Sequence, residues 1–424
     1  MSGGERTPVD ASRWRRAWEA ADLPVAIFDA AAALTWALDR DHDPIAWALA
    51  LVSLLDRREG STWTPLELDH FERRLSAIGL GEARPHLVAA LRDRARDGLW
   101  APPEDFATSE PTPWVRVGDA VAPRRSWRDE TRIAAWLRTA REAPSDPETP
   151  RDIPPTTGDE PALAPEQAAA VQAGLSRRLV AITGGPGTGK TTVVAALVRA
   201  LLATGTAPEA IALAAPTGKA AQRLRASLAG VDATLEVQTL HRRLGYRPTD
   251  DTFTAGADRP LSADVVIVDE ASMIDLRLME RLAAALSPSA RLVLVGDADQ
   301  LPSVDAGAVF RDLVDAAPDH VWRLEANRRV VQSAGGRALV ELASGVRAGR
   351  ARLPEPADAL PEPEAEGVFA LRRAGDPRRD RQLWHAWVEA PGAERAKILT
   401  VVREGPHGSA AANRETAARR SARA

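Results

Sequence analysis

The sequence predicts an α/β chain: a nucleotide-binding lobe on a parallel sheet, between a helical N-terminal section and an incomplete second lobe. Three observations predict it. Residues 166–330 alternate short apolar runs with Ala- and Leu-rich segments of helical pattern, as in a parallel sheet covered on both faces. The first run leads into a full G-x-x-x-x-G-K-[ST] loop, Gly184 to Thr191. Pro-rich tracts at 142–165 and 354–366 interrupt the pattern and mark boundaries.

Composition narrows the class. The 424 residues carry 55 Lys+Arg against 59 Asp+Glu, a net charge of −4, with 45% hydrophobic and 27% charged residues. That is a globular chain with enough material for two or three domains. The absence of cysteine excludes disulfides, thiolate zinc sites and cysteine catalysis. The N-terminus shows no apolar signal segment, and Ala30–Leu38 and Ile45–Leu55 are too short to cross a bilayer. The expectation is a soluble, cytoplasmic protein with no membrane contact. Near-neutral charge argues against coating nucleic acid by bulk charge, yet permits a local basic groove. Only three lysines (Lys190, Lys219, Lys397) stand beside 52 arginines. A lysine is therefore expected where a compact point charge must sit among phosphates and a guanidinium fails. Lys397 lies in no motif and is equally a chance surface lysine.

Residues 1–141 read as a helical docking domain. Thr64-Pro65-Leu66-Glu67 is a capping-box helix start, with Phe71, Leu75 and Ile78 following at helical spacing. Nine of the twelve tryptophans lie between Trp14 and Trp136. They suggest either a base-stacking surface or core packing, and helical spacing among Leu and Ala favours core. Residues 142–165, with seven prolines, form an extended linker. Residues 166–330 hold four apolar strands, Leu179–Thr183, Ile211–Ala214, Val265–Val268 and Leu292–Val295. Residues 331–424 begin a second lobe.

The strand ends carry the chemistry. In Gly184-Gly185-Pro186-Gly187-Thr188-Gly189-Lys190-Thr191, glycines let backbone N–H groups turn inward on an anion. The following helix aims its positive end at the same point. Lys190, expected to face solvent without nucleotide, would reach the β- and γ-phosphates of ATP, and Thr191 would ligate Mg²⁺. Thr192 completes the nucleotide-binding set. Asp269, after the third strand, would hold Mg²⁺ through water, and Glu270 would polarise the attacking water. After the fourth strand, Gln300 in Gly296-Asp297-Ala298-Asp299-Gln300 would sense the γ-phosphate; a plain surface turn is the alternative. Pro216, Thr217 and Lys219 follow the second strand and suit contact with a nucleic-acid backbone. Thr239 and His241 add a second contact, although a lone histidine is more often structural.

With these motifs in this order, the sequence resembles a superfamily 1 DNA helicase of the RecD type, the α subunit of exodeoxyribonuclease V. The resemblance implies a RecA-like P-loop lobe, with Gln167 reading adenine. It assigns Arg329, in Leu324-Glu325-Ala326-Asn327-Arg328-Arg329, to the γ-phosphate. Ile398 to Asn413, with Arg403-Glu404-Gly405-Pro406 inside it, also resembles the family. Beyond Asn413 the resemblance stops, and the expected Thr/Ser-Gln segment and final arginine motif are not found, as in a fragment or a disturbed reading frame.

The resemblance implies an ATP-dependent 5′→3′ helicase subunit that acts on a 5′-ended single DNA strand. RecB-like and RecC-like subunits would complete a heterotrimer for double-strand break repair and recombination. The alternatives are a self-contained superfamily 1 helicase and a nucleotide-binding module without motor activity. The expectation for the 424 residues alone is Mg·ATP binding with little DNA-stimulated hydrolysis and no unwinding.

Overall fold

The computed structural model describes residues 11–21, 23, 25–38, 43–78, 99–103, 112–143, 162–232, 234–300, 306–325, 334–347 and 349–350. Two compact units divide the chain, residues 1–325 and 326–424. In the second unit the described element is the helix Ala334–Arg347, with Leu339 and Val346 exposed. Arg329, Leu301 to Val304, most of the Pro-rich linker, the tract 354–366 and the family-like stretch 398–413 lie outside the described residues.

The first unit opens with helices α1 (Ala11–Ala20), α2 (Val25–Ala37) and α3 (Pro44–Arg58). Asp43 caps α3 by accepting from the Ile45 N–H at 2.9 Å, with Pro44 at the first helical position. The expected helix start at Thr64 is not observed. Thr64–Pro65 form strand β1, and helix α4 spans Leu68–Ala77 with no side-chain cap. The reason is tertiary: Thr64 and Pro65 pair antiparallel with Val121 and Ala120 of β4 (Ala120–Pro123). As an edge strand, β1 tolerates the missing proline N–H. With β2 (Trp100–Ala101) and β3 (Trp114–Val117) it builds a four-stranded sheet ordered β1-β4-β3-β2. The N-terminal section is thus mixed rather than purely helical. Trp14, Trp18, Trp47, Trp100 and Trp114 are buried in its core, which favours packing over base stacking; Trp36 is 75% exposed.

Helix α5 (Arg124–Glu142) leads from that sheet to the larger one. There, α6 (Pro165–Ser176) precedes strand β5 (Leu179–Gly184), and α7 (Lys190–Ala203) follows it. Next come β6 (Ile211–Ala215), α8 (Gly218–Leu228), β7 (Val237–Thr239) and the short α9 (Leu240–Arg243). A small hairpin pairs β8 (Tyr246–Arg247) with β9 (Thr252–Phe253). The remaining elements are β10 (Val265–Val268), α10 (Leu276–Ala285), β11 (Arg291–Gly296), α11 (Val309–Ala316) and β12 (Val321–Leu324).

The six strands are parallel and ordered β12-β5-β11-β10-β6-β7. Alternate residues face opposite layers. Val180, Ile182, Leu213, Ile267 and Val293 pack with α6, α7 and α8. Leu179, Ala181, Val266, Val268 and Leu292 pack with α10, α11 and residues Ile133 and Ala140 of α5. Burial on both faces explains the unbroken apolar runs, and each buried Val, Leu or Ile contributes roughly 1.5–3 kcal/mol. The four anticipated strands are present; the edge strands β7 and β12 are additional. Among the described residues no helix is long and apolar enough to cross a membrane.

Candidate nucleotide site and strand groove

Every parallel strand points its C-terminal end to the same edge of the sheet, where open α/β sheets bind ligands. Strand β5 sits between β12 and β11, neither of them its successor in the chain, so the crossovers diverge beside it. The Gly184–Lys190 loop leaves the sheet at that point. Two of its glycines are required by geometry. Gly189 is the N-cap of α7 with φ +87°, and Gly184 lies so close to β12 that a Cβ would stand 2.6 Å from the Leu324 carbonyl oxygen.

Lys190 begins α7 and does not face solvent. Its Nζ donates to the Gly184 carbonyl and, at 3.0 Å, to the Gly185 carbonyl. Burial holds its pKa below the usual lysine value, against the opposing pull of Asp297, Glu270 and Asp269. An ammonium ion beside the N-terminus of a helix fits a polyphosphate, and the three carboxylates would need a cation between them and it. Thr188 is buried and its hydroxyl donates to the Gly185 carbonyl at 2.9 Å, tightening the loop. Thr191 is exposed and Thr192 half-buried on the first turn of α7, and Pro186 is exposed at the loop tip, with Gly185 and Gly187 half-buried beside it.

Gln167 is 6% exposed, and its side chain is engaged by the protein. Its oxygen accepts from the Ala164 N–H at 3.0 Å and its amide donates to the Thr188 carbonyl at 3.1 Å. It braces the loop.

Asp269 and Glu270 follow β10, two strands from the loop. Burial raises the Asp269 pKa above the ordinary carboxylate value; Glu270 adds to the rise, while the Glu270 N–H, Lys190 and Arg223 oppose it. Its Oδ1 accepts from the Glu270 N–H at 2.9 Å. Glu270 holds a left-handed backbone, φ +55°, a strain of about 1–3 kcal/mol of the kind that collects at functional sites. Beyond β11, buried Asp297 accepts from the Asp299 N–H at 3.1 Å and from the Gln300 amide at 3.4 Å. Arg311 clamps this turn through the carbonyls of Ala298 and Gln300. Gln300 is therefore tied beside Asp297.

The expected strand contacts lie at the ends of β6 and β7 on the same edge. Thr217 caps α8 by accepting from the Ala220 N–H at 3.2 Å, and Thr239 caps α9 by accepting from the Arg242 N–H at 3.3 Å. Both hydroxyls have a structural use that the sequence reading did not anticipate. Pro216 is half-buried and Lys219 exposed. A cavity of about 330 Å³ joins the two segments through Gly218, Gln222, Gln238, Thr239 and Arg242. His241 turns away from it into rings, 5.2 Å from Tyr246 and 6.1 Å from Phe253. Sequence reasoning missed Arg223, whose guanidinium lies 3.8 Å from Glu270. Its position in Ala220-Ala221-Gln222-Arg223-Leu224 looks like an ordinary exposed helix face.

The chain is similar to several known proteins. A family model described as an AAA domain matches residues 167–306. The RecBCD enzyme subunit RecD of Mycobacterium tuberculosis (strain CDC 1551 / Oshkosh) is 41% identical over 273 residues, covering 60% of this chain and 43% of that protein. The subunit of the same name from Mycolicibacterium smegmatis is 47% identical over 208 residues, covering 44% and 36%. The ATP-dependent RecD2 DNA helicase of Deinococcus radiodurans is 44% identical over 178 residues, covering 41% and 24%. Among solved structures, Pif1 helicase from Candida albicans aligns with a TM-score of 0.34 at 20% identity, covering 46% of this chain and 45% of that chain. The chain spans less than half the length of these curated relatives. Over the matched span it is similar to RecD-type superfamily 1 helicases, as its motifs imply.

Proposed function

We propose that this chain carries the ATP-hydrolysing lobe of a 5′→3′ DNA helicase subunit of the RecBCD type. It would act on a 5′-ended single strand in double-strand break repair and recombination, in the cytoplasm. Residues 1–141 would dock RecB-like and RecC-like subunits, 142–165 would link them to the 166–330 lobe, and 331–424 would begin the second lobe. One observation carries the reading. Lys190, Asp269, Glu270 and Asp297 converge at one edge of a parallel sheet, beside strand ends that form a groove.

The loop and the N-terminus of α7 would bind the phosphates of ATP, and Lys190 would leave the loop carbonyls for the γ-phosphate. Bound Mg²⁺ would neutralise phosphate charge, and the Thr191 hydroxyl and Asp269 are the residues that would hold it. Glu270 would take the proton of a water as its oxygen bonds to the γ-phosphorus and the bond to the β-phosphate oxygen breaks. Gln300, held by Asp297, would report the γ-phosphate to the strand groove. Arg329 would supply a further positive charge, and Gln167 would add adenine contact to its bracing of the loop.

The test is single-turnover ATP hydrolysis by the purified chain, with and without oligo(dT). Turnover that Lys190→Ala abolishes supports the reading, with little acceleration by DNA expected from the 424 residues alone. Nucleotide binding without Lys190-dependent turnover identifies a nucleotide-binding module instead.

A further inference from the structure

Resting on that reading, the geometry points to Arg223 as a positioning residue that holds Glu270 away from the attacking water until a nucleic-acid phosphate draws its guanidinium off. Arg223 lies on α8, the helix that begins at the expected strand contact. Its side chain is 76% exposed, yet Nη1 stands 3.8 Å from Glu270 Oε1. Glu270 is 25% exposed in its side chain and carries the left-handed backbone that aims it. A carboxylate oxygen held against a guanidinium is not free to orient a water.

The same helix supplies the release. Lys219, Gln222, Arg223 and Ala226 are exposed at i, i+3, i+4 and i+7, a single solvent face. Gln222 also lines the cavity of about 330 Å³ between α8 and the β7–α9 turn. A phosphate backbone following Thr217, Lys219 and Gln222 would pass within a long side chain's reach of Arg223. An exposed ion pair at 3.8 Å is weak, so a phosphate offering bidentate contact competes well for the guanidinium. Arg223 thus connects groove and carboxylate with no movement of the sheet.

The experiment measures DNA-free, single-turnover ATP hydrolysis by the full chain, its Arg223→Ala, Arg223→Gln and Arg223→Lys variants, and Lys190→Ala as the zero. Arg223→Ala and Arg223→Gln are expected to hydrolyse several-fold faster than wild type at unchanged affinity for a fluorescent ATP analogue. Arg223→Lys is expected to restore most of the restraint. Oligo(dT) should raise the wild-type rate at most to that of Arg223→Ala, and leave Arg223→Ala unmoved. Combining Arg223→Ala with Glu270→Gln should erase the gain. An Arg223→Ala rate no higher than wild type, or a gain that survives Glu270→Gln, overturns the inference. If instead no variant exceeds Lys190→Ala, the hydrolytic reading of the site falls as well, so the two failures are separable.

Discussion

The Gln167 amide donates to the Thr188 carbonyl at 3.1 Å, binding the helix ahead of the sheet to the phosphate-loop candidate one residue before Gly189. The contact is tight: a Cβ on Gly189 would overlap the Gln167 amide, and Gly189 has φ +87°. Gly189→Ala is therefore expected to lose about 1–3 kcal/mol of stability from backbone strain. Nucleotide affinity should fall with it, read by thermal melting and by titration with a fluorescent ATP analogue. Gln167→Ala should loosen the same loop; a wild-type affinity in both variants would argue against the bracing.

Lys190→Ala is expected to abolish hydrolysis with the fold intact. The side chain's two bonds go to carbonyls of its own loop and not to the core, so the melting temperature should move by no more than about 1 kcal/mol would produce. Loss of one charge on the transferring group costs roughly 10²–10³-fold in rate. Single-turnover hydrolysis and a melting curve on one preparation check both halves.

Glu270→Gln should separate binding from chemistry. The amide keeps the shape beside Asp269 but cannot take a proton, so ATP binds while its hydrolysis slows by about 10²–10⁴-fold. A trapped, slowly exchanging nucleotide in filter binding is the expected readout.

Asp129 on α5 lies beside Glu280 of α10, both buried, and Arg132 donates to Glu280 at 2.9 Å. Burial raises the Asp129 pKa above its ordinary 3.8, and Glu280 adds to the rise. The folded state then keeps a proton that the unfolded chain releases, so this residue's contribution to stability falls as pH rises from 3.8 to the raised value. Asp129→Asn removes that penalty. Its melting temperature relative to wild type should climb from about pH 4 upward and level off above the raised value; a flat difference across that window would contradict the assignment.

Thr217→Ala is expected to cost about 1 kcal/mol through loss of the α8 cap, and Thr217→Ser should recover most of it. DNA affinity measured by anisotropy, compared between the alanine and serine variants at equal folded fraction, separates the cap from any strand contact.

Much of the large sheet was legible because its signals are local. A run such as Val265–Val268 has no polar face, so it is stable only between two helical layers, and the structure buries all four residues. The glycines of 184–189 and the scarce lysine announced the phosphate-loop candidate for the same reason: backbone freedom and a compact charge are properties of single residues. Strands β7 and β12 were not legible, since Val237–Thr239 and Val321–Leu324 are short and of mixed polarity. Their strand state comes from the neighbour they pair with.

By itself the sequence determined the parallel α/β lobe, the order of its motifs and the residue types at the strand ends. Only the tertiary structure decided that Thr64–Pro65 pair as a strand instead of starting a helix. It also decided that Gln167 braces the loop, that Lys190 folds onto carbonyls and that Arg223 meets Glu270. The physical reason is one of range. Periodicity, capping and backbone freedom act within a turn or two of chain, whereas these pairings depend on where crossovers return distant segments and on which polar groups burial leaves in need of a partner.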